Sequence, residues 1–125
     1  MVKPAPSRPA PASFKFRIRV TAGEVIAIGP GKIALLEALA ETRSITAAAK
    51  AQGMSYRRAW LLIDELNQAL REPAVRSASG GAQGGGSELT EFGQQLIALY
   101  RAIEAQAQAA CKTEIRQLLK MLAPP

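Results

Sequence analysis

The sequence contains no histidine and a single cysteine, Cys111. Histidine is the most common general base and metal ligand, so its absence argues against acid–base catalysis and the usual zinc sites. One cysteine cannot form an internal disulfide, which favours a reducing compartment. The chain also has no run of about 18 apolar residues, so no transmembrane helix is predicted. We therefore expect a cytoplasmic protein that does not span a membrane and is not an enzyme.

Positive charge is concentrated in the first half of the chain. The formal net charge is +6 over 125 residues. Residues 1–60 carry ten basic and three acidic side chains, whereas residues 61–125 carry six basic and seven acidic ones. A basic half indicates a polyanionic partner, either nucleic acid or an anionic membrane surface.

The N-terminal residues predict a tail followed by a β-hairpin. Four prolines within residues 1–13 prevent a helix, so we expect a mobile tail there. Phe14–Val20 alternates apolar and basic side chains, which is the period of a half-buried strand, and Glu24–Ile28 supplies a second strand. We interpret the polar face of the first strand as solvent-exposed, with DNA contact as the alternative. That face carries Lys15, Arg17 and Arg19.

Three predicted helices follow, in the order of a helix-turn-helix. Apolar residues recur at helical spacing over Lys32–Thr42. Ser44 is a suitable N-cap for a short helix over Ile45–Ala51, and Ser55 for a longer helix that runs to about Leu70. We expect the tryptophan of the longer helix to fix it to the core. The predicted buried face comprises Ala59, Trp60, Ile63, Leu66 and Leu70.

The first turn of the longer helix carries polar side chains suited to DNA. A recognition helix enters the major groove by its first turns. Arginine offers paired donors to guanine or phosphate, and serine and tyrosine hydroxyls offer shorter hydrogen bonds. The alternatives are a packing role for the tyrosine and a solvated face for the arginines. The predicted DNA-binding residues of this turn are Ser55, Tyr56, Arg57 and Arg58.

A glycine-rich segment behind this helix predicts the wing of a winged helix-turn-helix. Short strands over Ala74–Ser79 and Ser87–Thr90 can flank it. Glycines would allow the backbone to approach phosphates closely. A mobile linker and an anion-binding nest of backbone amides are the alternatives. The predicted wing residues are Arg76, Gly80, Gly81, Gln83, Gly84, Gly85 and Gly86.

The last predicted element is one long helix from Glu91 towards Leu122. Its apolar stripe is too extensive for a lone exposed arm, so we predict pairing with the same helix of a second subunit. Such a dimer would present two recognition helices to half-sites one duplex turn apart, about 34 Å. The alternative is that the helix packs on its own domain. The predicted interface residues are Phe92, Leu96, Leu99, Ile103, Ala107, Ile115 and Leu118.

Five segments together resemble a known family. They are Gly31–Glu37, Ser44–Lys50, Gly53–Trp60, Ser79–Gly86 and Leu89–Gly93. In this order they resemble the N-terminal DNA-binding domain of ModE-type molybdate-responsive transcription regulators, which is related to the LysR-type winged helix. The resemblance covers about residues 14–110, and its most specific part is Gly53–Trp60 followed by the glycine cluster.

We predict a mainly α fold with small β-hairpins: a tail over 1–13, a winged helix-turn-helix over 14–90 and a long dimerisation helix over 91–125. The resemblance implies a winged-helix regulator over the part of the chain that it covers. It implies a homodimer that binds palindromic operators in double-stranded DNA, at molybdate-transport or molybdoenzyme genes. By position, it also places Thr46 and Lys50 near the DNA backbone.

Full-length members of that family carry paired small β-barrel domains that bind molybdate after this domain, and no such segment occurs up to Pro125. We therefore expect no cofactor in this chain. Any molybdate response would come from a separate sensor protein or from a longer protein of which this is a piece. Two other hypotheses are a protein-interaction module that docks through the last helix, and an oxyanion-binding protein that takes molybdate in the glycine loop without a specific DNA target.

Overall fold

A computed structural model describes residues 11–78 and 86–124 of the chain. The predicted tail up to residue 10 and the wing residues Gly80, Gly81, Gln83, Gly84 and Gly85 lie outside these described residues. The fold is mainly helical with two antiparallel hairpins, which confirms the predicted fold class. The elements in chain order are β1 (Val20–Ala22), β2 (Val25–Ile28), α1 (Pro30–Thr42), α2 (Ile45–Ala51), α3 (Tyr56–Ala69), β3 (Val75–Ser77), β4 (Ser87–Leu89), α4 (Glu91–Ala110) and α5 (Lys112–Lys120).

Side-chain caps fix where three of the helices begin. The hydroxyl of Ser44 accepts a hydrogen bond from the Ala47 amide at 3.1 Å, and that of Ser55 accepts one from the Arg58 amide at 3.1 Å. Thr90 caps α4 in the same way, through the Gly93 amide at 3.0 Å. Each cap satisfies an amide that has no partner within its helix. The predicted starts of α2, α3 and α4 are therefore confirmed.

The core lies where α1, α2 and α3 meet the base of the wing. Alanines on α2 and α3 allow close helix packing, while α1 contributes leucines. Val75 pairs with Leu89 across the β3–β4 hairpin, and both side chains are buried in this core. Buried side chains at the base of the β3–β4 hairpin therefore fix the wing to the core. The buried cluster includes Leu35, Leu36, Leu39, Ala48, Ala49, Ala59, Ile63, Leu66, Ala74, Val75 and Leu89.

The wing also approaches the end of α1 closely. The Ser87 amide donates a hydrogen bond to the carbonyl oxygen of Arg43 at 3.1 Å. Arg43 ends α1 in the left-handed conformation, with φ of 56°. A Cβ on Gly86 would lie 2.5 Å from that same oxygen, well inside contact distance. Glycine is therefore required at position 86 by close backbone approach.

The predicted first strand is wrong over most of its length. Only Val20–Ala22 forms β1, and Phe14–Arg19 pairs with no strand of the described residues. The alternation itself persists, since residues 14, 16 and 18 are half-buried whereas residues 15, 17 and 19 are exposed. The physical reason is that β2 has four residues and can pair with only a short β1.

The predicted single C-terminal helix is also wrong, because it is interrupted at Cys111. This residue has φ of −102° and ψ of 16°, away from the α-helical values. The Cys111 amide still donates to the Ala107 carbonyl at 3.0 Å, and the Ile115 amide to the Cys111 carbonyl at 2.8 Å. The interruption is therefore a local kink between α4 and α5. Among the described residues of α5 no side chain is fully buried, and Ile115 and Leu119 are half-buried.

Candidate nucleic-acid interface

A glycine-bearing turn sets the angle between α2 and α3. Gly53 has φ of 68°, the left-handed conformation that commonly ends a helix. The Met54 amide then donates to the Ala49 carbonyl at 3.0 Å, and the Met54 side chain packs against the core. The hydrogen bond and the packing of Met54 therefore hold the loop between α2 and α3 in place. The first turn of α3, which follows this loop, is exposed to solvent.

The predicted DNA-binding residues lie on this exposed part of the molecule. On α3, Ser55, Tyr56, Arg57 and Arg58 are all exposed, and Tyr56 keeps 53% of its surface. On α2, Thr46 and Lys50 are exposed four residues apart, so both lie on one face of that helix. Their exposure leaves these side chains accessible to a partner.

Leu61 is a residue of this surface that the sequence pattern did not single out. Its side chain is 48% exposed and lies one turn beyond Arg57, on the same strip of α3. The two side chains line one shallow depression together with Ser55 and Glu65. The buried spacing of Ala59, Ile63 and Leu66 leaves position 61 on the opposite face, so helical periodicity could have identified it.

Trp60 does not pack in the core, and its predicted role there is wrong. The side chain is 47% exposed. It lines a groove between α3 and the wing, with Ile45 and Ile63 on one side and Val75 and Arg76 on the other. The small Ala59 and the branched Ile63 fill the core-facing positions, and the indole is about 60° round the helix from Ile63.

Asn67 joins the recognition helix to the wing. Its side-chain oxygen accepts hydrogen bonds from the amides of Ala74 at 2.8 Å and Val75 at 3.3 Å, and its nitrogen donates to the Val75 carbonyl at 3.0 Å. These bonds hold β3 at a fixed position beside α3. Further out, Arg76 pairs with Glu88 across the hairpin at 3.0 Å.

Replacing Asn67 by alanine should lower the free energy of unfolding by about 2 kcal/mol, because it leaves partly buried backbone groups of the wing base without partners. Urea denaturation measures this change. Gln68→Ala is the matched control, since it removes an exposed amide that bonds to Asp64 and to no other of the described side chains, and its effect should stay within about 0.5 kcal/mol. Equal losses for the two variants would contradict the assigned role.

A buried lysine holds α3 on its other side. The side chain of Lys32 is 7% exposed, and its Nζ lies 2.5 Å from the carbonyl oxygen of Ile26 and 2.5 Å from a carboxylate oxygen of Glu65. The lysine charge is thus paired, as a buried charge requires. It links β2, α1 and α3 at one point, and the sequence pattern gave no sign of it.

The outer face of α4 and the following helix α5 carry exposed apolar side chains. Of the predicted interface residues, Leu99, Ile103 and Leu118 expose 64%, 54% and 54% of their surface. Phe92, Leu96, Ala107 and Ile115 are half-buried. Leu96 packs against the core, and the Arg71 guanidinium lies 5.4 Å from the centre of the Phe92 ring.

The inner face of α4 is fixed to the domain by polar contacts. Arg101 forms ion pairs with Glu37 of α1 and with Glu104. Hydrogen bonds from Arg101 lower the pKa of Glu37, and the same bonds raise the pKa of Arg101. Burial raises the pKa of Tyr100, whose hydroxyl donates to the Ile18 carbonyl at 2.9 Å.

None of the helices in the described part of the chain is long and apolar enough to cross a membrane.

Known proteins are similar to this chain over 71 to 84 residues. The chain is 44% identical over 84 residues to the molybdenum transport protein ModE of Azotobacter vinelandii, covering 67% of this chain and 31% of the relative. It is 47% identical over 78 residues to the molybdenum-pterin-binding protein MopB of Rhodobacter capsulatus, covering 62% and 29%. It is 46% identical over 71 residues to the DNA-binding transcriptional dual regulator ModE of Escherichia coli (strain K12), covering 57% and 27%.

This chain therefore spans about a third of the length of these relatives. They confirm the predicted resemblance to the ModE-type DNA-binding domain. Residues 31–94 also match the family described as bacterial regulatory helix-turn-helix protein, lysR family. The matched residues run from the first turn of α1 into α4 and include the whole candidate interface on α2, α3 and the wing. Because that match covers half of the chain, the protein belongs to the LysR family of bacterial regulatory helix-turn-helix proteins.

Proposed function

We propose that this chain is a sequence-specific transcription regulator that binds double-stranded DNA as a homodimer and controls molybdenum-related genes. The observation that carries the proposal is the exposed first turn of α3, with two arginines that form none of the ion pairs found among residues 11–78 and 86–124. Uncompensated arginines on a recognition helix suit the major groove and its phosphates. The relatives support the gene class, since their names refer to molybdenum transport, molybdenum-pterin binding and transcriptional regulation.

Both arginines line the depression that contains Leu61, and Arg58 also lines a groove beside the N-terminal hairpin, which supports different roles. Arg57 shares the outer strip of α3 with Leu61, so we assign it to a base edge, with Leu61 offering an apolar contact to a thymine methyl group. Arg58 lines a groove beside the N-terminal hairpin, so we assign it to a phosphate. Thr46 and Lys50 on α2 and Arg76 on the wing would contact the backbone on either side.

Dimerisation is supported by the apolar face of α4. Exposed Leu99 and Ile103 lie one turn apart on that face, and Leu118 of α5 extends the exposed apolar surface. Pairing of two such faces would bury this surface and relate two recognition helices by a two-fold axis, so that the operator is palindromic. A molybdate signal would reach such a regulator from a separate sensor protein or from further domains.

Replacing Arg57 by alanine should weaken binding to the operator by about 1–3 kcal/mol and leave binding to scrambled DNA nearly unchanged, because a base contact acts only on the correct sequence. The operator is selected from a pool of random duplexes, and affinities are measured by fluorescence anisotropy. Arg116→Ala, which removes an exposed arginine from α5, is the matched control and should change neither affinity appreciably. Equal affinity of the wild-type protein for operator and scrambled DNA would overturn the proposed function.

A further inference from the structure

The recognition helix has a β-hairpin on each of its two sides. The wing is attached through Asn67, as described above. The N-terminal hairpin β1–β2 is attached through Glu65, by way of Lys32 and the Ile26 carbonyl. Residues 65 and 67 are separated by about 200° around a helix. The two hairpins therefore flank α3 on opposite sides.

Three arginines lie together on the side of α3 that faces the N-terminal hairpin. Arg17, Arg19 and Arg58 line one groove, which we call the hairpin groove; its floor includes the Gly29–Gly31 segment at the start of α1. The stem of Arg19 lies along Gly29, since a Cβ on that glycine would be 3.8 Å from the Arg19 Cγ. The start of α1 adds the partial positive charge of a helix N-terminus.

The carboxylates that share a cavity with these arginines are paired with other cations, since Glu104 beside Arg17 is paired with Arg101. Among residues 11–78 and 86–124, none of the ion pairs involves Arg17, Arg19 or Arg58. The one carboxylate of the hairpin groove belongs to Glu65, and it is already paired with Lys32. The groove therefore retains an excess of positive charge, which favours an anionic partner.

The backbone that carries two of these arginines is held in place. Ile18 lies between Arg17 and Arg19, and its carbonyl accepts a hydrogen bond from the buried Tyr100 hydroxyl at 2.9 Å. Residues 17 and 19 are both exposed, while residues 16 and 18 are half-buried. In an extended segment, residues two apart project to the same side. The two guanidinium groups are therefore offered together by an anchored backbone.

We propose that the N-terminal hairpin is a second DNA-contacting arm, in which Arg17 and Arg19 bind phosphates on the side of the major groove opposite the wing. This inference rests on the proposed DNA binding of α3. Arg58 reaches the same groove from α3, so the three guanidinium groups would hold one stretch of DNA backbone. Guanidinium groups match phosphate geometry and bind it through paired hydrogen bonds. Such contacts fix the register of the protein on DNA without reading the sequence.

The test replaces Arg17 and Arg19 together by glutamine and measures binding to operator and scrambled duplexes over a range of salt concentrations. Both affinities should fall by a similar factor, at least about 100-fold at low salt. The slope of log K against log salt should decrease by about 3.6, since the dimer loses two phosphate contacts in each subunit and each lost contact removes about 0.9. The matched control is Lys112→Gln with Arg116→Gln, which removes the same charge from exposed positions of α5 and should leave the slope unchanged.

The possible results separate this inference from the proposed function. An unchanged salt slope in the variant, together with a wild-type protein that prefers its operator, would overturn the second arm and leave the proposed function intact. A loss confined to the operator would also overturn it, because it would show base reading rather than phosphate binding. A wild-type protein that binds neither duplex would overturn both. Denaturation of the variant checks folding, and we expect no change because both side chains are exposed.

Discussion

Replacing Leu99 and Ile103 by aspartate should yield a monomer that binds operator DNA about 100-fold more weakly than the wild-type protein. Both side chains are more than half exposed on α4, so the change should leave the folded domain intact. A charge on each of two facing helices would oppose their pairing, and burying it would be strongly unfavourable. Once the subunits separate, each half-site is bound independently and the gain from simultaneous binding is lost.

Sedimentation or light scattering gives the oligomeric state, and titration with a palindromic operator gives the affinity. Ala105→Asp is the matched control, because Ala105 is exposed on the same helix but lies about 120° away from Leu99. It should leave both the dimer and the affinity unchanged. A wild-type monomer, or a monomeric variant with undiminished operator affinity, would refute the role assigned to this face.

The second large effect is expected at Gly93, in the first turn of α4. Replacing this glycine by alanine should lower the free energy of unfolding by about 3 kcal/mol or more. A Cβ there would meet the backbone of Ala74, with the carbonyl carbon at 3.1 Å and the Cα at 3.2 Å. Ala74 has little freedom to move aside, since its carbonyl accepts from the Thr90 amide at 2.9 Å and its amide donates to Asn67 at 2.8 Å.

Gly31 provides the control for this substitution. It also lies in the first turn of a helix, α1, but a Cβ there would have no neighbour within 4 Å. Gly31→Ala should therefore raise the free energy of unfolding by about 0.5 kcal/mol, through reduced freedom of the unfolded chain. Chemical denaturation measures both variants. Similar effects at the two glycines would show that the close approach at Ala74 is not what makes Gly93 necessary.

The helix starts could be predicted because their determinants are local. Ser44, Ser55 and Thr90 each bind an amide three residues further on, so the signal and its effect lie within one turn of chain. The same holds for Gly53, whose left-handed conformation ends the turn before the recognition helix. These short-range features were sufficient to place α2 and α3, and with them the candidate interface.

The features that the sequence did not predict depend on distant parts of the chain. Trp60 is exposed because Ala59 and Ile63 already fill the core-facing positions and the wing leaves an open groove beside it. Lys32 is buried because Glu65, 33 positions away, reaches it after folding. Phe14–Arg19 has the alternation of a strand, but whether a strand forms depends on a neighbour long enough to pair with it.

The hydrogen bond between Tyr100 and Ile18 has a consequence for signalling. Tyr100 follows Leu99 directly on α4, so the helix that carries the proposed pairing face also anchors the segment with Arg17 and Arg19. A rotation of α4 about its axis would shift the Tyr100 hydroxyl and, through the Ile18 carbonyl, the backbone between the two arginines. A change in how two subunits pair would thus reach Arg17 and Arg19 of each subunit through this hydrogen bond.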